Sequence, residues 1–305
     1  MSSDKTFSVA TPTRNALHNL RRCVGSFRGQ LRNDVEHLIQ DACSTDGTPQ
    51  WLADQSLIGA VSEPDEGMYD AINRAWSRST GSYLSWLNSD EQYLPGTFNR
   101  VDEIFKANPQ VDVLFANYIV VDAEGLAVAV RNEIPLRRFL VANTFLNAQS
   151  CTLFFRRSLL DRGLLTLDAR LRYAADMELV LRLLSQGARF KHIDEVWALF
   201  GIDGANLSTH PGAVGETEQV GRAYGALRCK PLRALATCAR RTERLLRGSY
   251  ARRTVTYAFA TSARPDYVTF EAPKLGGSYS LVHPRGRARQ VAQPANASFE
   301  SRTRR

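Results

Sequence analysis

Cysteine and histidine are scarce, five of each in 305 residues. The cysteines (Cys23, Cys43, Cys151, Cys229 and Cys238) are scattered, odd in number and form no CxxC pair, and the histidines show no metal-ligand spacing. A disulfide framework and a zinc cluster are excluded, and a reducing compartment fits best. Equally absent is any run of about 18 apolar residues, the length a membrane span requires. The start, MSSDKTFSVA, lacks a basic segment leading into an apolar one. A secreted or membrane-spanning chain is therefore not expected. With 44% hydrophobic and 23% charged residues, the remaining balance is that of an ordinary globular protein. At roughly 150 residues per domain, the length suggests one large domain plus an appendage, or two domains.

Negative charge is missing from one end. Residues 1 to 210 hold 21 Lys and Arg against 25 Asp and Glu, whereas residues 211 to 305 hold 18 against 6. The charge break suggests a mildly acidic unit, 1–210, followed by a basic extension, 211–305. That extension reads as helical to about residue 247, then irregular, with a disordered end. A nucleic-acid partner is not expected, because the arginines lack the interleaved aromatics of a stacking platform and no DNA-binding module is present.

Within 1–210, β-prone runs alternate with helical spacing. Phe7 to Thr13, Val35 to Gln40, Leu57 to Ser62, Tyr83 to Leu87, Val111 to Ala116, Ser150 to Phe155 and Lys191 to Phe200 read as strands. Helical spacing covers Leu17 to Phe27, a short turn with Thr48 as N-cap and Pro49 as first residue, Met68 to Trp76, Thr97 to Ala107, Arg137 to Phe145 and Asp176 to Ser185. Strand and helix in this rhythm predict an α/β fold with a mainly parallel sheet flanked by helices. A polar loop is expected from Gly201 to Gly215, and a basic helical stretch from Glu216 to Arg247.

In such sheets, ligands bind beyond the carboxyl ends of the strands. Acidic residues stand there repeatedly: Asp41 after the second strand, Asp65 after the third, Asp90 and Glu91 after the fourth. Crowded carboxylates repel one another unless a divalent cation or ligand donors offset their charge.

Four segments in order, Thr11-Pro-Thr-Arg-Asn, Asp41-Ala-Cys-Ser-Thr-Asp-Gly-Thr, Ser62-Glu-Pro-Asp-Glu-Gly-Met-Tyr-Asp-Ala-Ile-Asn-Arg-Ala and Thr80-Gly-Ser-Tyr-Leu-Ser-Trp-Leu-Asn-Ser-Asp-Glu, resemble the family 2 glycosyltransferases of GT-A fold. The resemblance spans roughly residues 5 to 200. It implies an inverting glycosyltransferase that moves a sugar from a nucleotide-sugar donor to a hydroxyl of a glycan or lipid-linked acceptor in surface polysaccharide biosynthesis. A non-catalytic nucleotide-sugar or protein-binding module of the same fold is the alternative.

By the same resemblance, Thr11, Pro12 and Thr13 surround the ribose and base, and Asp41 accepts from the imide N–H of a pyrimidine. Asp65 is the next nucleotide contact, and Asn73 with Arg74 faces the diphosphate. Asp46 is expected to tie the turn ahead of Pro49, and Met68, Tyr69 and Ile72 to pack their helix. Asn88-Ser89-Asp90 stands at the family's DxD motif, so Asp90 is the expected ligand of Mg2+ or Mn2+ bridging the donor phosphates. Asn88 replaces the first aspartate of that motif, and Glu91 occupies a neighbouring acidic position. Inverting transfer also needs a base for the acceptor hydroxyl. Asp176 in Ala174-Ala-Asp-Met-Glu-Leu-Val-Leu-Arg-Leu matches it, with Arg182 as the family's arginine and Glu178 as the rival base. An N-cap role is the competing reading of Asp176. Gln149 is a candidate acceptor contact and His210 a candidate metal or phosphate contact.

Such an enzyme is expected in the cytoplasm. Residues 216 to 247 mix Leu227, Leu232, Leu235, Leu245 and Leu246 with Arg228, Lys230, Arg233, Arg240, Arg241, Arg244 and Arg247, the composition of a basic helix lying on an anionic membrane surface. The competing reading packs those leucines on the catalytic unit and leaves the charges in water.

Overall fold

Phe7–Thr13, buried at every position, forms strand β1 in the interior of a large sheet. A strand covered on both faces needs an unbroken run of apolar and small residues, which this segment supplies. The computed structural model describes residues 5–55, 58–202, 206–207, 210–277 and 286–291. After β1 come α1 (Leu17–Arg28), β2 (Val35–Asp41), α2 (Thr48–Ala53), β3 (Ile58–Ser62), α3 (Met68–Ser77) and β4 (Tyr83–Trp86). The middle of the chain adds β5 (Gln92–Tyr93), α4 (Thr97–Ala107), β6 (Val113–Val121), β7 (Ala127–Arg131) and α5 (Arg138–Asn143). Then follow β8 (Phe154–Arg156), α6 (Arg157–Asp161), α7 (Ala175–Ser185) and β9 (Phe190–Gly201).

The strands lie in the order β3-β2-β1-β4-β8-β6-β9-β5, with β7 paired to β6. β3, β2, β1 and β4 are mutually parallel, and the longest pairing, β6 with β9, is parallel too. β8, β7 and β5 run antiparallel to their neighbours. This is the α/β architecture expected, a mostly parallel sheet with helices on both faces. One face buries Cys23 and Phe27 of α1 with Phe98, Val101 and Phe105 of α4. The other buries Ile72 and Trp76 of α3 with Leu179 and Leu183 of α7.

β4 stops short beside β1. The two pair only from Phe7 to Ala10, and the last contact is the Leu87 N–H on the Ala10 carbonyl. Beyond it Thr13 gives its carbonyl to Ala42 on the β2 side, so by alternation Pro12 faces the side that β4 has left. Its missing N–H costs no ladder bond there, and a crevice opens beside it.

Several local expectations need correction. Gly47, at φ 91°, caps α2, so Thr48 is the first helical residue and not the N-cap. Asp46 does the capping, taking the Thr48 N–H at 3.1 Å, its hydroxyl at 2.6 Å and the Leu17 N–H at 2.9 Å. Ser150–Thr152 is a 3-10 turn, and only Phe154–Arg156 is strand. The loop expected up to Gly215 ends earlier, because Pro211 starts α8 (Pro211–Ala223). Residues 203–205 and 208–209 of that loop lie outside the described residues. The basic helical stretch is two helices, α8 and α9 (Lys230–Leu246), since Gly225 takes a positive φ of 89° and Pro231 opens the second.

What read as irregular beyond residue 249 is an antiparallel sheet of β10 (Arg253–Ala260), β11 (Tyr267–Leu275) and β12 (Arg289–Val291). It packs on the main sheet: Val255, Tyr257, Phe259 and Phe270 share a core with Ile119, Val121, Val130 and Leu199. Disorder is expected over the last twenty residues; of these, 286–291 are described and hold β12, paired to β11, and 292–305 lie outside the described residues.

α9 turns its faces opposite to the reading that packs its leucines on the catalytic unit and leaves its charges in water. Arg240 and Arg244 are buried, at 2% and 3% exposure, while Leu235 is 64% and Leu246 82% exposed. Inward arginines are tolerated because partners wait for them. Arg244 pairs with buried Glu133 at 2.8 Å, and Arg240 donates to the Phe145 carbonyl at 2.5 Å with its guanidinium over the Phe145 ring.

Candidate functional site

The crevice beside β1 is a cleft of about 670 Å3. One wall comes from the carboxyl ends of β1 and β4 and the approach to α3: Pro12, Thr13, Asp65, Asn88, Ser89 and Asp90. The opposing segments contribute Gln149, Ser150, Arg172, Tyr173 and Asp176. Eight of the sequence candidates thus meet in one cleft only if Gln149 and Asp176, far along the chain, are brought to the strand ends, and the fold does this.

Thr13 Oγ1 and Asn88 Oδ1 are buried oxygens with no hydrogen-bond partner. Unpaired buried polar atoms are uncommon in folded proteins, and two on the residues of one cleft mark it as built for a polar ligand. Asp65 takes the Gly67 N–H at 2.9 Å, and burial raises its proton affinity.

Other candidates lie behind the wall. Thr11 is fully buried, with Oγ1 2.8 Å from His37 Nε2, and burial lowers the His37 pKa to about 3, so that ring is neutral. Asp41 is fully buried too. Its carboxylate accepts the Ser44 N–H at 3.1 Å, the Ser44 hydroxyl and the Ser62 hydroxyl at 2.5 Å, which ties the ends of β2 and β3 together. Asn73 exchanges two bonds with the Leu167 backbone, at 2.7 and 2.9 Å. Arg74 is paired with Asp70 at 2.8 Å and Glu63 at 2.9 Å.

Asn88 to Glu91 close a turn on themselves. Glu91 accepts the Asn88 N–H at 2.8 Å and the Ser150 hydroxyl at 2.9 Å, fully buried beneath the cleft. Burial, and then the charge of Asp90, push its proton affinity up. Glu91 therefore links the Asp90 turn to the Gln149-Ser150 segment and does not open into the cleft. Among the described residues no three His, Cys, Asp or Glu side chains converge on a metal position. The donors present still suit a hard cation of the magnesium type, which takes one or two carboxylates and fills its other positions from phosphates and water. Asp90, beside the unpartnered Asn88 Oδ1, is that kind of site.

Asp176 is the second residue of α7, whose N-cap is Ala174, and its Oδ1 accepts the adjacent Met177 N–H at 2.8 Å. The side chain does not cap the helix; it faces the cleft. Burial raises its pKa to about 6, and the charge of Glu216 adds to the effect. Glu178 is turned away, held by Arg182 at 3.0 Å and by the Tyr224 hydroxyl at 2.6 Å, while Arg182 also donates to the Leu164 carbonyl at 2.7 Å. His210 caps α8 by accepting the Gly212 N–H at 3.1 Å. Sequence reasoning missed Tyr69, whose hydroxyl faces the backbone of Ala175 and Asp176, as well as Arg172, Tyr173 and Glu216. None of them carries a local motif; Tyr69 was read as packing, and it does both.

A mostly parallel α/β sheet flanked by helices, with acidic residues at its strand ends, is the architecture of the GT-A fold. The family model for glycosyl transferase family 2 matches residues 8–163, and the chain belongs to that family. It is a nucleotide-sugar-dependent glycosyltransferase. An uncharacterized glycosyltransferase of Mycobacterium tuberculosis is 33% identical over 189 residues, covering 60% of this chain and 70% of that protein. TuaG of Bacillus subtilis, named for teichuronic acid biosynthesis, is 28% identical over 140 residues, covering 44% and 52%. The fold is similar to that of S. aureus TarS solved with UDP-GlcNAc, with a TM-score of 0.57 at 17% identity over 79% of this chain and 73% of that one.

Proposed function

We propose that the chain transfers a sugar, with inversion, from a nucleotide-sugar donor to a hydroxyl of a glycan or lipid-linked acceptor in the building of a surface polysaccharide. The observation that carries this reading is that Asp176, a carboxylate with raised proton affinity, lines the same cleft as Thr13, Asp65 and Asp90. Names of relatives such as TuaG point to the polysaccharide.

In this reading Pro12 and Thr13 receive the nucleoside, with Thr11 and His37 backing them. Asp41 shapes the base pocket from beneath; pairing directly with an imide N–H requires it to exchange a serine hydroxyl for the base. Asn73 and Arg74 support the α3 wall. Asp90 holds the divalent cation, Mg2+ or Mn2+, with Asn88 and Ser89 beside it, and the cation when bound offsets the charge of the leaving diphosphate. Asp176 removes the proton of the acceptor hydroxyl as it attacks, near Gln149. Residues 1–210 carry the chemistry and 211–305 supply its support.

No helix among the described residues is long and apolar enough to cross a membrane. The outward leucines of α9, beside exposed Lys230 and Arg241, support a peripheral place on the inner face of the cytoplasmic membrane.

The test is a screen of UDP- and GDP-sugars with Mn2+, comparing wild type with Asp176→Asn. The variant is expected to keep donor affinity by calorimetry and to lose roughly 10²-fold or more in turnover. An unchanged rate removes the base from the scheme. A wild type that binds donors and turns over none is the binding module instead.

A further inference from the structure

The backbone that leads into Asp176 is held by a residue 40 positions further on, outside the cleft. Glu216, on the second turn of α8, accepts the Tyr173 N–H at 2.6 Å and the Ala174 N–H at 2.7 Å on Oε1. It takes the Arg172 N–H on both oxygens, at 3.0 and 2.9 Å. The first N–H groups of a helix and its entry have no partner within the helix, and Ala174, the N-cap of α7, has no side chain to serve them. One carboxylate thus fixes three consecutive residues, two of which line the cleft with Asp176.

α8 grips α7 at two other points. The Tyr173 ring stacks on His210 with centroids 4.8 Å apart, and Tyr224 reaches Glu178 at 2.6 Å. Of the three contacts, the Glu216 carboxylate is the one that bonds the backbone of the turn presenting Asp176.

We propose that Glu216 is the positioning residue of Asp176: its carboxylate fixes the backbone that aims the base at the acceptor and places a second negative charge near it. The proposal rests on Asp176 being the base. Charged and titratable groups around Asp176 are Tyr69 from α3, Glu216 from α8, Arg172 and Tyr173 from the entry loop, and Arg14, Asp65, Glu66 and Asp90 lining the same cleft. Glu216 is the one whose charge acts on it in the direction of burial.

A ligand-free measurement separates this from the base reading. Unfolding stability is followed from about pH 4 to about pH 8 for wild type, Asp176→Asn, Glu216→Gln and the double variant. A carboxyl whose pKa is raised on folding keeps its proton in the folded state while the unfolded chain has lost it, so it contributes stability that declines as pH rises and is gone above the folded pKa. The wild-type advantage over Asp176→Asn should therefore level off near pH 6. In the Glu216→Gln background the levelling point should fall by about half a unit, because a like charge has gone. In turnover of the sugar nucleotide found by the screen, Glu216→Ala should lower kcat about tenfold or more with donor KM within about twofold. Glu216→Gln, which keeps one acceptor oxygen, should recover part of kcat while its acid limb moves to lower pH. An unmoved levelling point, or a Glu216→Ala enzyme that folds and turns over normally, overturns the proposal. Normal turnover by Asp176→Asn overturns the base reading alone, and the levelling point still reports the grip of Glu216.

Discussion

Arg244 of α9 and Glu133, just past β7, form an ion pair at 2.8 Å in which neither side chain keeps more than 3% of its surface. Glu133 also lies 3.3 Å from Arg131, and Arg240 is buried nearby, so one carboxylate answers several cations. Removing one partner of a buried pair leaves an uncompensated charge, at a cost of about 3 to 5 kcal/mol. Glu133→Ala is therefore expected to destabilise more than Arg244→Ala, which leaves Arg131 as a partner. Denaturant unfolding of the two variants checks the order; equal losses would mean that the pair carries no such asymmetry.

The activity should be lost on the acid side. As the proposed base, Asp176 has to be ionised to accept a proton, and its pKa is raised to about 6, so kcat/KM should fall as pH drops through that value, approaching tenfold per unit below it. A profile flat to about pH 5 would assign the limb to a different group.

Asp90→Ala should abolish turnover and leave the fold intact, and excess EDTA should silence the wild type. Gly201 offers a gentler probe. A Cβ there would lie 2.4 Å from the Asp90 carbonyl, so Gly201→Ala must push the Asp90 turn. The expected result is weaker Mn2+-dependent donor binding by calorimetry, several-fold, with a smaller change in Tm. Unaltered binding would show that the turn yields without consequence.

Vesicle flotation tests the outer face of α9. Wild type should float with vesicles containing anionic lipid at low salt and less at high salt, since each basic residue near such a surface contributes about 1 kcal/mol. Leu235→Glu with Leu246→Glu should abolish flotation and leave stability unchanged, both side chains being exposed. A wild type that stays at the bottom at low salt refutes the membrane role.

From β1 to α4 the sequence was readable because each element is local: Leu20, Val24 and Phe27 recur at helical spacing, and strand ends carry their own turn residues. The Asp90 turn and Asp176 were visible as motifs for the same reason. What escaped was set by distant partners. Nothing near Glu91 announces that it bonds to Ser150, 59 residues away, and nothing near Glu216 announces Tyr173. The α9 pattern of leucine and arginine revealed two faces but not which one turns inward, because that depends on Glu133 and the Phe145 carbonyl. Composition likewise hid the strands beyond residue 252, whose apolar residues find their core only against Ile119, Val121 and Leu199.

Gln92 gives its side-chain N–H to the Ala260 carbonyl at 3.2 Å and takes the Ala260 N–H at 2.8 Å, both buried. It stands two residues after Asp90, so the end of β10 is fastened to the strand that continues from the Asp90 turn. Local opening of the C-terminal sheet would leave that strand with two unpaired buried groups, which couples the two free energies. Amide protons of Gln92 and Ala260 should thus exchange as one cooperative unit, and a loose tail would be felt at the catalytic centre as a transient loss of order.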